Sequence, residues 1–76
     1  MKILVTGGAG YIGSTICSAL EDRGHTPIIL DSFVSGRREF SLSRICFEGD
    51  IGDRELAESI FEEHLDIYCV IHCAAL

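Results

Sequence analysis

The sequence predicts an α/β fold: the first half of a doubly wound parallel sheet with about four strands in the order 3-2-1-4. Short runs of β-forming residues alternate along the 76 residues with segments of helical periodicity. Such alternation is typical of parallel strands joined by right-handed crossovers. In addition, candidate functional residues follow the predicted strands directly, at the sheet edge where ligands bind in folds of this class.

The first strand and the first helix lie on either side of a glycine-rich segment. Ile3 to Val5 is an apolar run closed by glycines, which predicts a buried strand. Apolar residues then recur at helical spacing and predict a helix over residues 11–23, ended by Gly24 in a left-handed conformation. The expected buried face of this helix consists of Ile12, Ile16, Ala19 and Leu20.

Two further strands flank an irregular connection. Residues 27–30 predict the second strand, and Pro27 should begin it because proline cannot donate to a strand ladder. Residues 31–43 are polar and irregular, so they replace or contain a weak crossover helix. Residues 44–48 predict the third strand, and residues 49–52 predict a turn.

An acidic helix and an apolar strand complete the predicted fold. Asp53 is expected to cap the helix. The expected buried stripe of the helix consists of Leu56, Ala57, Ile60 and Phe61. The continuous apolar run 67–71 predicts a fourth strand covered on both faces. With no strand paired beyond it, its free edge favours a marginally stable, associating monomer.

Composition excludes several classes of protein. Six Lys plus Arg against twelve Asp plus Glu give a net charge of −6, which disfavours binding to nucleic acids or anionic membranes. The apolar runs are too short for a signal peptide or a membrane span, so a cytoplasmic protein is expected. The four cysteines form no C-x-x-C pair, and zinc binding by Cys69, His72 and Cys73 matches no common ligand spacing. No metal site is therefore expected.

The glycine-rich segment 6–13 carries the main functional signal. Gly8, Gly10 and Gly13 fit G-x-G-x-x-G, and Gly7 fits the related T-G-x-x-G-x-x-G, between a predicted strand and a predicted helix. Glycines leave backbone N–H groups open to a pyrophosphate, and the first helical turn adds unpaired N–H groups with a partial positive charge. Gly13 is explained by close packing of helix on strand. The alternative is that these glycines only shape a turn.

Asp31 ends the second predicted strand, eighteen residues after Gly13. An acid about 20 residues after the glycine motif binds the adenosine ribose hydroxyls of a dinucleotide. Its charge also repels a 2′-phosphate, which favours NAD over NADP. Arg37 and Arg38 leave open an NADP alternative, and Asp31 as a simple turn residue is another.

The ends of the third and fourth strands supply weaker candidates. Asp50 and Ile51 are candidates for contacts with adenine, although Asp50 in this position also fits an Asx turn. The small residues 73–75 would let a cofactor cross the end of the fourth strand. His72 is expected to be a packed, hydrogen-bonded histidine rather than a catalyst.

Together, the segments 2–14, 49–51 and 70–76 with Asp31 resemble the extended short-chain dehydrogenase/reductase superfamily and, within it, the nucleotide-sugar epimerases. The resemblance covers the whole chain and implies a Rossmann fold with tightly held NAD. The residues that it implies in cofactor binding are Gly7, Gly10, Tyr11, Ile12, Gly13, Asp31, Asp50, Ile51, Cys73, Ala74 and Ala75. The first four would lie along the pyrophosphate, and the last three toward nicotinamide.

The resemblance does not extend to a catalytic centre. In this family a tyrosine, with a lysine four residues later, takes a proton from the sugar hydroxyl while hydride passes to nicotinamide. Neither Tyr11 nor Tyr68 has a lysine at that offset, because Lys2 is the only lysine. We therefore expect no catalytic residue here, and expect residues 1–76 to form an NAD-binding half-domain without the sugar-nucleotide domain.

The resemblance implies an isomerase of galactose metabolism as the whole protein, with a nucleotide sugar bound only where the missing part is supplied. A family-like homodimer is also implied for the whole enzyme, but it is not expected from these residues alone. Two alternatives remain open. One is a non-catalytic or remnant dinucleotide-binding module, and the other is the amino-terminal half of a nucleotide-sugar dehydratase or decarboxylase.

Overall fold

The computed structural model describes residues 1–73. The strands are β1 (Lys2–Thr6), β2 (Thr26–Asp31), β3 (Ile45–Glu48) and β4 (Ile67–His72), the helices are α1 (Tyr11–Asp22) and α2 (Arg54–Glu63), and Arg38–Phe40 form a 3-10 turn. All strand pairs are parallel, and the sheet order is β3-β2-β1-β4. The predicted fold class and strand order are confirmed.

Alternate residues of the central strands face two different layers, as the period of a strand requires. Ile3, Val5 and Ile29 lie in one cluster with Cys17 of α1. The next residues along the same strands form a second cluster with Ile60 of α2; they are Leu4, Ile28 and Leu30. The sheet therefore carries one helix on each face, and β1 and β2 are buried between them.

The predicted buried face of α1 is confirmed in part: Ile16 and Leu20 are half-buried, and Leu20 packs against the core. The buried residues of α1 are Gly13, Ser14 and Cys17, whereas Ile12 is 69% exposed and Ala19 is also exposed. The prediction followed the bulky apolar residues. The helix instead approaches the strand-to-helix loop so closely that a Cβ at Gly13 would overlap the backbone of Gly7. Only small side chains fit where α1 crosses the loop, so the residues buried there are Gly13, Ser14 and Cys17.

The predicted end of α1 and the predicted cap of α2 are confirmed. Gly24 has φ +82° after the end of α1, and the side chain of Asp53 accepts a hydrogen bond of 3.1 Å from Leu56 N at the start of α2. The stripe of α2 is confirmed in part, since Ile60 is buried while Phe61 is exposed. The connection between β2 and β3 contains the 3-10 turn and otherwise no helix, which also agrees with the prediction.

The prediction that β4 is covered on both faces is wrong for the described residues. Tyr68, Cys69 and Val70 are exposed, and only Ile67 and Ile71 are half-buried. In this part of the chain β4 pairs with β1 alone, and α1 packs over β1 and β2 rather than over β4. None of the helices among residues 1–73 is long and apolar enough to cross a membrane.

Candidate functional site

The carboxyl ends of the strands surround a cavity of about 550 Å³. Its lining residues come from the end of β2 and from the loops that follow the four strands. They are Gly7, Gly10, Leu30, Asp31, Ser32, Val34, Ser35, Gly36, Gly49, Asp50, Ile51 and Cys73. Six of the residues predicted as cofactor contacts meet in this cavity: Gly7, Gly10, Asp31, Asp50, Ile51 and Cys73. Folding thus gathers residues that lie up to 66 positions apart in the chain.

The glycine-rich loop turns sharply between β1 and α1. Gly7 has φ +72°, a backbone conformation that residues with a side chain rarely adopt. Its N–H donates to Leu30 O at 2.8 Å, and its carbonyl accepts from Gly10 N at 3.0 Å. Gly13, predicted for close packing, lies directly against Gly7, so any Cβ there would displace the loop. The loop is therefore held tightly and faces the cavity with backbone atoms.

The first turn of α1 offers unpaired N–H groups. Gly10 is the N-cap and provides no side chain to satisfy them. Among residues 1–73, no backbone or side-chain acceptor pairs with the N–H groups of Tyr11, Ile12 or Gly13. The positive end of the helix dipole lies at the same point. No lysine or arginine appears in the described cavity wall, so an anion bound here would depend on these amides.

Tyr11 and Ile12 directly follow Gly10, the N-cap residue that lines the cavity. Their side chains are 83% and 69% exposed. Tyr11 also lines a second cavity, of about 420 Å³, between α1 and the β2–β3 connection. Neither side chain lines the first cavity in the described structure.

The carboxylate of Asp31 is buried and held in place by two amides. Oδ2 accepts from Ala9 N at 3.0 Å and Oδ1 accepts from Phe33 N at 2.8 Å. Each carboxylate oxygen has two lone pairs, so one on each oxygen remains for a further donor. The two neighbouring hydroxyl groups of a ribose match this arrangement, because each can donate to one of the two oxygens. The residues present thus fit a dinucleotide, with amides for its phosphates and a fixed carboxylate for a ribose.

The segment from Ser32 to Gly36 forms a wall of the cavity that the sequence analysis missed. A Cβ on Gly36 would lie 3.0 and 3.1 Å from the two Asp31 oxygens and 3.2 Å from the Ala9 Cβ. Arg37 N donates to Ala9 O at 2.9 Å and holds this segment against the glycine-rich loop. The available signal was Gly36 itself, a glycine five residues after the predicted ribose-binding acid.

At the end of β3, Asp50 forms the Asx turn that was the alternative to a binding role. Its Oδ1 accepts from Gly52 N at 2.8 Å, and both Asp50 and Ile51 still line the cavity. At the end of β4, Cys73 N donates to Thr6 O at 2.8 Å. The predicted contacts Ala74 and Ala75 lie outside the described residues.

Two other candidate residues, His72 and Arg38, make contacts outside the cavity. His72 Nδ1 lies 2.7 Å from Thr6 Oγ1, as expected of a hydrogen-bonded histidine, but the residue is exposed rather than packed. Arg38 pairs with Glu48 at 2.8 Å and lies over the Phe33 ring at 4.5 Å. In the described structure neither Arg37 nor Arg38 lines the cavity, so the wall contains no arginine for a 2′-phosphate.

The cysteines are free thiols in the described structure. Burial raises the pKa of Cys17 from 9.0 to about 11, since an apolar environment disfavours the thiolate. Within residues 1–73, no group of three or more His, Cys, Asp or Glu side chains is placed to hold a metal ion.

The four-stranded parallel sheet, the glycine-rich loop that opens α1 and the acid at the end of β2 define the amino-terminal half of a Rossmann-type nucleotide-binding domain. The chain belongs to the NAD dependent epimerase/dehydratase family, whose sequence profile it matches over residues 3–76.

Relatives with the same name recur in both sequence and structure comparisons. The UDP-glucose 4-epimerase of Rhizobium leguminosarum bv. trifolii is 42% identical over 74 residues, which cover 97% of this chain and 22% of that protein. The structure of the Thermus thermophilus UDP-glucose 4-epimerase complex with NAD has a TM-score of 0.90 and 40% identity, covering 100% of this chain and 24% of that one. The Thermotoga maritima enzyme with UDP-glucose has a TM-score of 0.90 and 41% identity, covering 99% and 24%. The chain thus spans about a quarter of the length of these relatives.

Proposed function

We propose that this chain binds NAD in the 550 Å³ cavity, as the cofactor-binding portion of an enzyme of the UDP-glucose 4-epimerase type. One observation carries the proposal: Gly10, the N-cap of α1, and the fixed carboxylate of Asp31 line a single cavity, and the next N–H groups along the helix are unpaired. The dinucleotide bound by the Thermus thermophilus relative supports it, since the chain aligns with that structure over its whole length.

Each part of the cavity has a proposed role. The unpaired N–H groups of Tyr11, Ile12 and Gly13 hold the pyrophosphate beside Gly7 and Gly10, and Asp31 accepts hydrogen bonds from the adenosine ribose. Asp50 and Ile51 contact adenine, and residues 73–75 line the path toward nicotinamide. When bound, NAD supplies a reversible acceptor for hydride.

For the whole enzyme we propose the interconversion of UDP-glucose and UDP-galactose at the sugar C4, within galactose metabolism. The UDP-glucose bound by the Thermotoga maritima relative supports this substrate class. We further propose a cytoplasmic enzyme and a family-like homodimer. In this proposal the residues of this chain contribute the cofactor site, and the sugar-binding groups lie outside the quarter of the relatives that the chain matches.

A second candidate is a non-catalytic dinucleotide-binding module. The family proton transfer needs a lysine four residues after a tyrosine, and Lys2 is the only lysine. Coding sequence that continues in frame and encodes Tyr-x-x-x-Lys would support the enzyme over the module. The amino-terminal half of a nucleotide-sugar dehydratase or decarboxylase shares this cofactor site and would be distinguished by its sugar-binding residues.

The cofactor assignment is tested by titrating the chain with NAD and with NADP, for the wild type and for Asp31→Asn. We expect the wild type to prefer NAD by about tenfold or more, and Asp31→Asn to reduce that preference, because the repelling charge is lost. The ratio of the two affinities is the key quantity, since it does not depend on how much of a destabilised variant is folded. Asp22→Asn, which changes an exposed acid at the end of α1, is the matched control. Equal binding of both cofactors by the wild type would contradict the assignment.

A further inference from the structure

The connection between β2 and β3 forms a wall of the cavity without a helix to hold it. It comprises thirteen residues, 32–44, and its regular structure is limited to the three-residue turn Arg38–Phe40. Four of its residues, Ser32, Val34, Ser35 and Gly36, line the cavity. A crossover between parallel strands is normally anchored by an α-helix packed on the sheet. Here another contact has to fix the wall.

Arg44 makes that contact with the outer face of α1. Its Nε donates to Glu21 Oε2 at 3.1 Å and its Nη2 donates to Glu21 Oε1 at 2.8 Å, a two-point pairing of guanidinium and carboxylate. The Nη2 group also donates to Ser18 Oγ at 3.0 Å. The Nη1 group donates back to Phe40 O at 2.9 Å. One side chain therefore joins the last residue of the connection, its short turn and the helix.

The Arg44 pair is distinct from the other ion pairs in the described chain. The Arg44 side chain is only 12% exposed, whereas Arg38, Arg54 and Lys2 are far more exposed in theirs. The hydrogen bonds to Arg44 lower the pKa of Glu21, and the same bonds raise the pKa of Arg44. Both groups therefore stay charged across the neutral range.

A series of backbone hydrogen bonds connects Arg44 to the residues that line the cavity. Arg44 N donates to Ser41 O at 3.1 Å, Ser41 N to Arg38 O at 3.0 Å and Phe40 N to Arg37 O at 3.1 Å. Arg37 N then donates to Ala9 O at 2.9 Å in the glycine-rich loop. The wall 34–36 lies immediately before Arg37, so it is held between the loop and the Arg44 anchor.

We propose that Arg44 is a positioning residue that sets the adenosine side of the cavity relative to the first turn of α1. The same helix bears the phosphate-binding amides at its start and Glu21 and Ser18 near its end. Because the connection is bonded to α1, the adenosine side of the cavity and the phosphate-binding amides are both held by the same helix. The inference rests on the proposed function, because it assigns adenosine to this wall.

The test compares Arg44→Lys with the wild type by NMR titration with NAD, adenosine and inorganic pyrophosphate. Lysine keeps the charge but cannot reproduce the two-point pairing. We expect Arg44→Lys to weaken NAD and adenosine binding by roughly 3- to 5-fold, while pyrophosphate binding to the α1 amides is unchanged. Glu21→Gln, which removes the charge from the other side of the pair, should give the same pattern. Arg38→Lys, which alters an exposed pair on the same connection, should leave all three affinities unchanged.

Amide exchange at Arg37 provides a readout that needs no ligand. Exchange of the Arg37 N–H should be faster in Arg44→Lys and Glu21→Gln than in the wild type and in Arg38→Lys, because the anchor behind it is lost. Unchanged adenosine binding in a folded Arg44→Lys, or a parallel loss of adenosine and pyrophosphate binding, would overturn the positioning role alone. A wild-type chain that binds neither NAD nor adenosine would instead overturn the proposed function and, with it, this assignment.

Discussion

Among single residues, the four glycines between positions 7 and 13 meet different requirements. Gly7 needs its positive φ. A Cβ on Gly8 would lie 2.8 Å from Ile29 Cγ1, and one on Gly13 would overlap the Gly7 backbone. Gly10 has an ordinary extended conformation, and a Cβ there would approach only the Gly7 carbonyl oxygen, at 3.3 Å. Three of the glycines are thus required by the fold, while Gly10 is the one whose small size chiefly keeps the cavity open.

This difference predicts separable effects of two alanine substitutions. Gly10→Ala should lower NAD affinity by about tenfold or more, because its methyl group enters the cavity wall, with a loss of unfolding free energy of only about 1 kcal/mol. Gly13→Ala should destabilise the fold itself by about 1–3 kcal/mol or more, since the loop has to move. Urea denaturation and NAD titration measure the two effects. Undiminished NAD binding by a folded Gly10→Ala would argue against the phosphate assignment.

Among helices and strands, some features are set by local capping and others by tertiary packing. Asp53 was identifiable as the cap of α2 because its interaction with Leu56 N is local. The buried face of α1 was not identifiable in the same way. Its apolar residues occupy more than one side of the helix, and only the close approach of Gly13 to Gly7 selects the side that is buried.

The cap predicts a measurable loss of stability. Asp53→Ala should lower the free energy of unfolding by about 1 kcal/mol, because an N–H group at the start of α2 loses its acceptor. Asp53→Asn should recover most of that loss, since its side-chain oxygen also accepts. The comparison is made by urea denaturation, with Asp22→Ala as a matched change of an exposed acid. Equal midpoints for Asp53→Ala and Asp22→Ala would show that the cap contributes nothing.

Across the molecule, β4 is an edge strand of the sheet in the described residues and carries exposed apolar side chains. Tyr68 is 68% exposed and Val70 is 49% exposed on a strand that pairs on one side only in residues 1–73. An apolar strand edge with unpaired N–H and C=O groups is a template for pairing with another chain. The structure therefore supports the expectation that this chain, studied alone, associates.

A charge on this edge should suppress the association. Val70→Lys is expected to weaken self-association by about tenfold or more, because a lysine on an edge strand opposes pairing with a second copy. Sedimentation velocity over a range of concentrations measures this change. Leu65→Lys makes a comparable change at a residue that is 88% exposed and precedes β4, and it should leave association unaltered. A wild-type chain that remains monomeric at high concentration would contradict the prediction.

Patterns along the chain were enough to predict the strand order, the glycine-rich turn, the acid at the end of β2 and the cap of α2. The turn, the acid and the cap depend on local conformation, and the strand order follows from the alternation of strands and helices together with the rules for crossovers in doubly wound sheets. The buried face of α1, the exposure of β4, and the use of Ser32 to Gly36 as a cavity wall anchored by Arg44 emerged only from the folded chain. Each of these depends on which distant surfaces meet. Arg44 and Glu21, for example, are 23 positions apart, and no periodic pattern pairs them, because their contact exists only once β2 and β3 lie side by side.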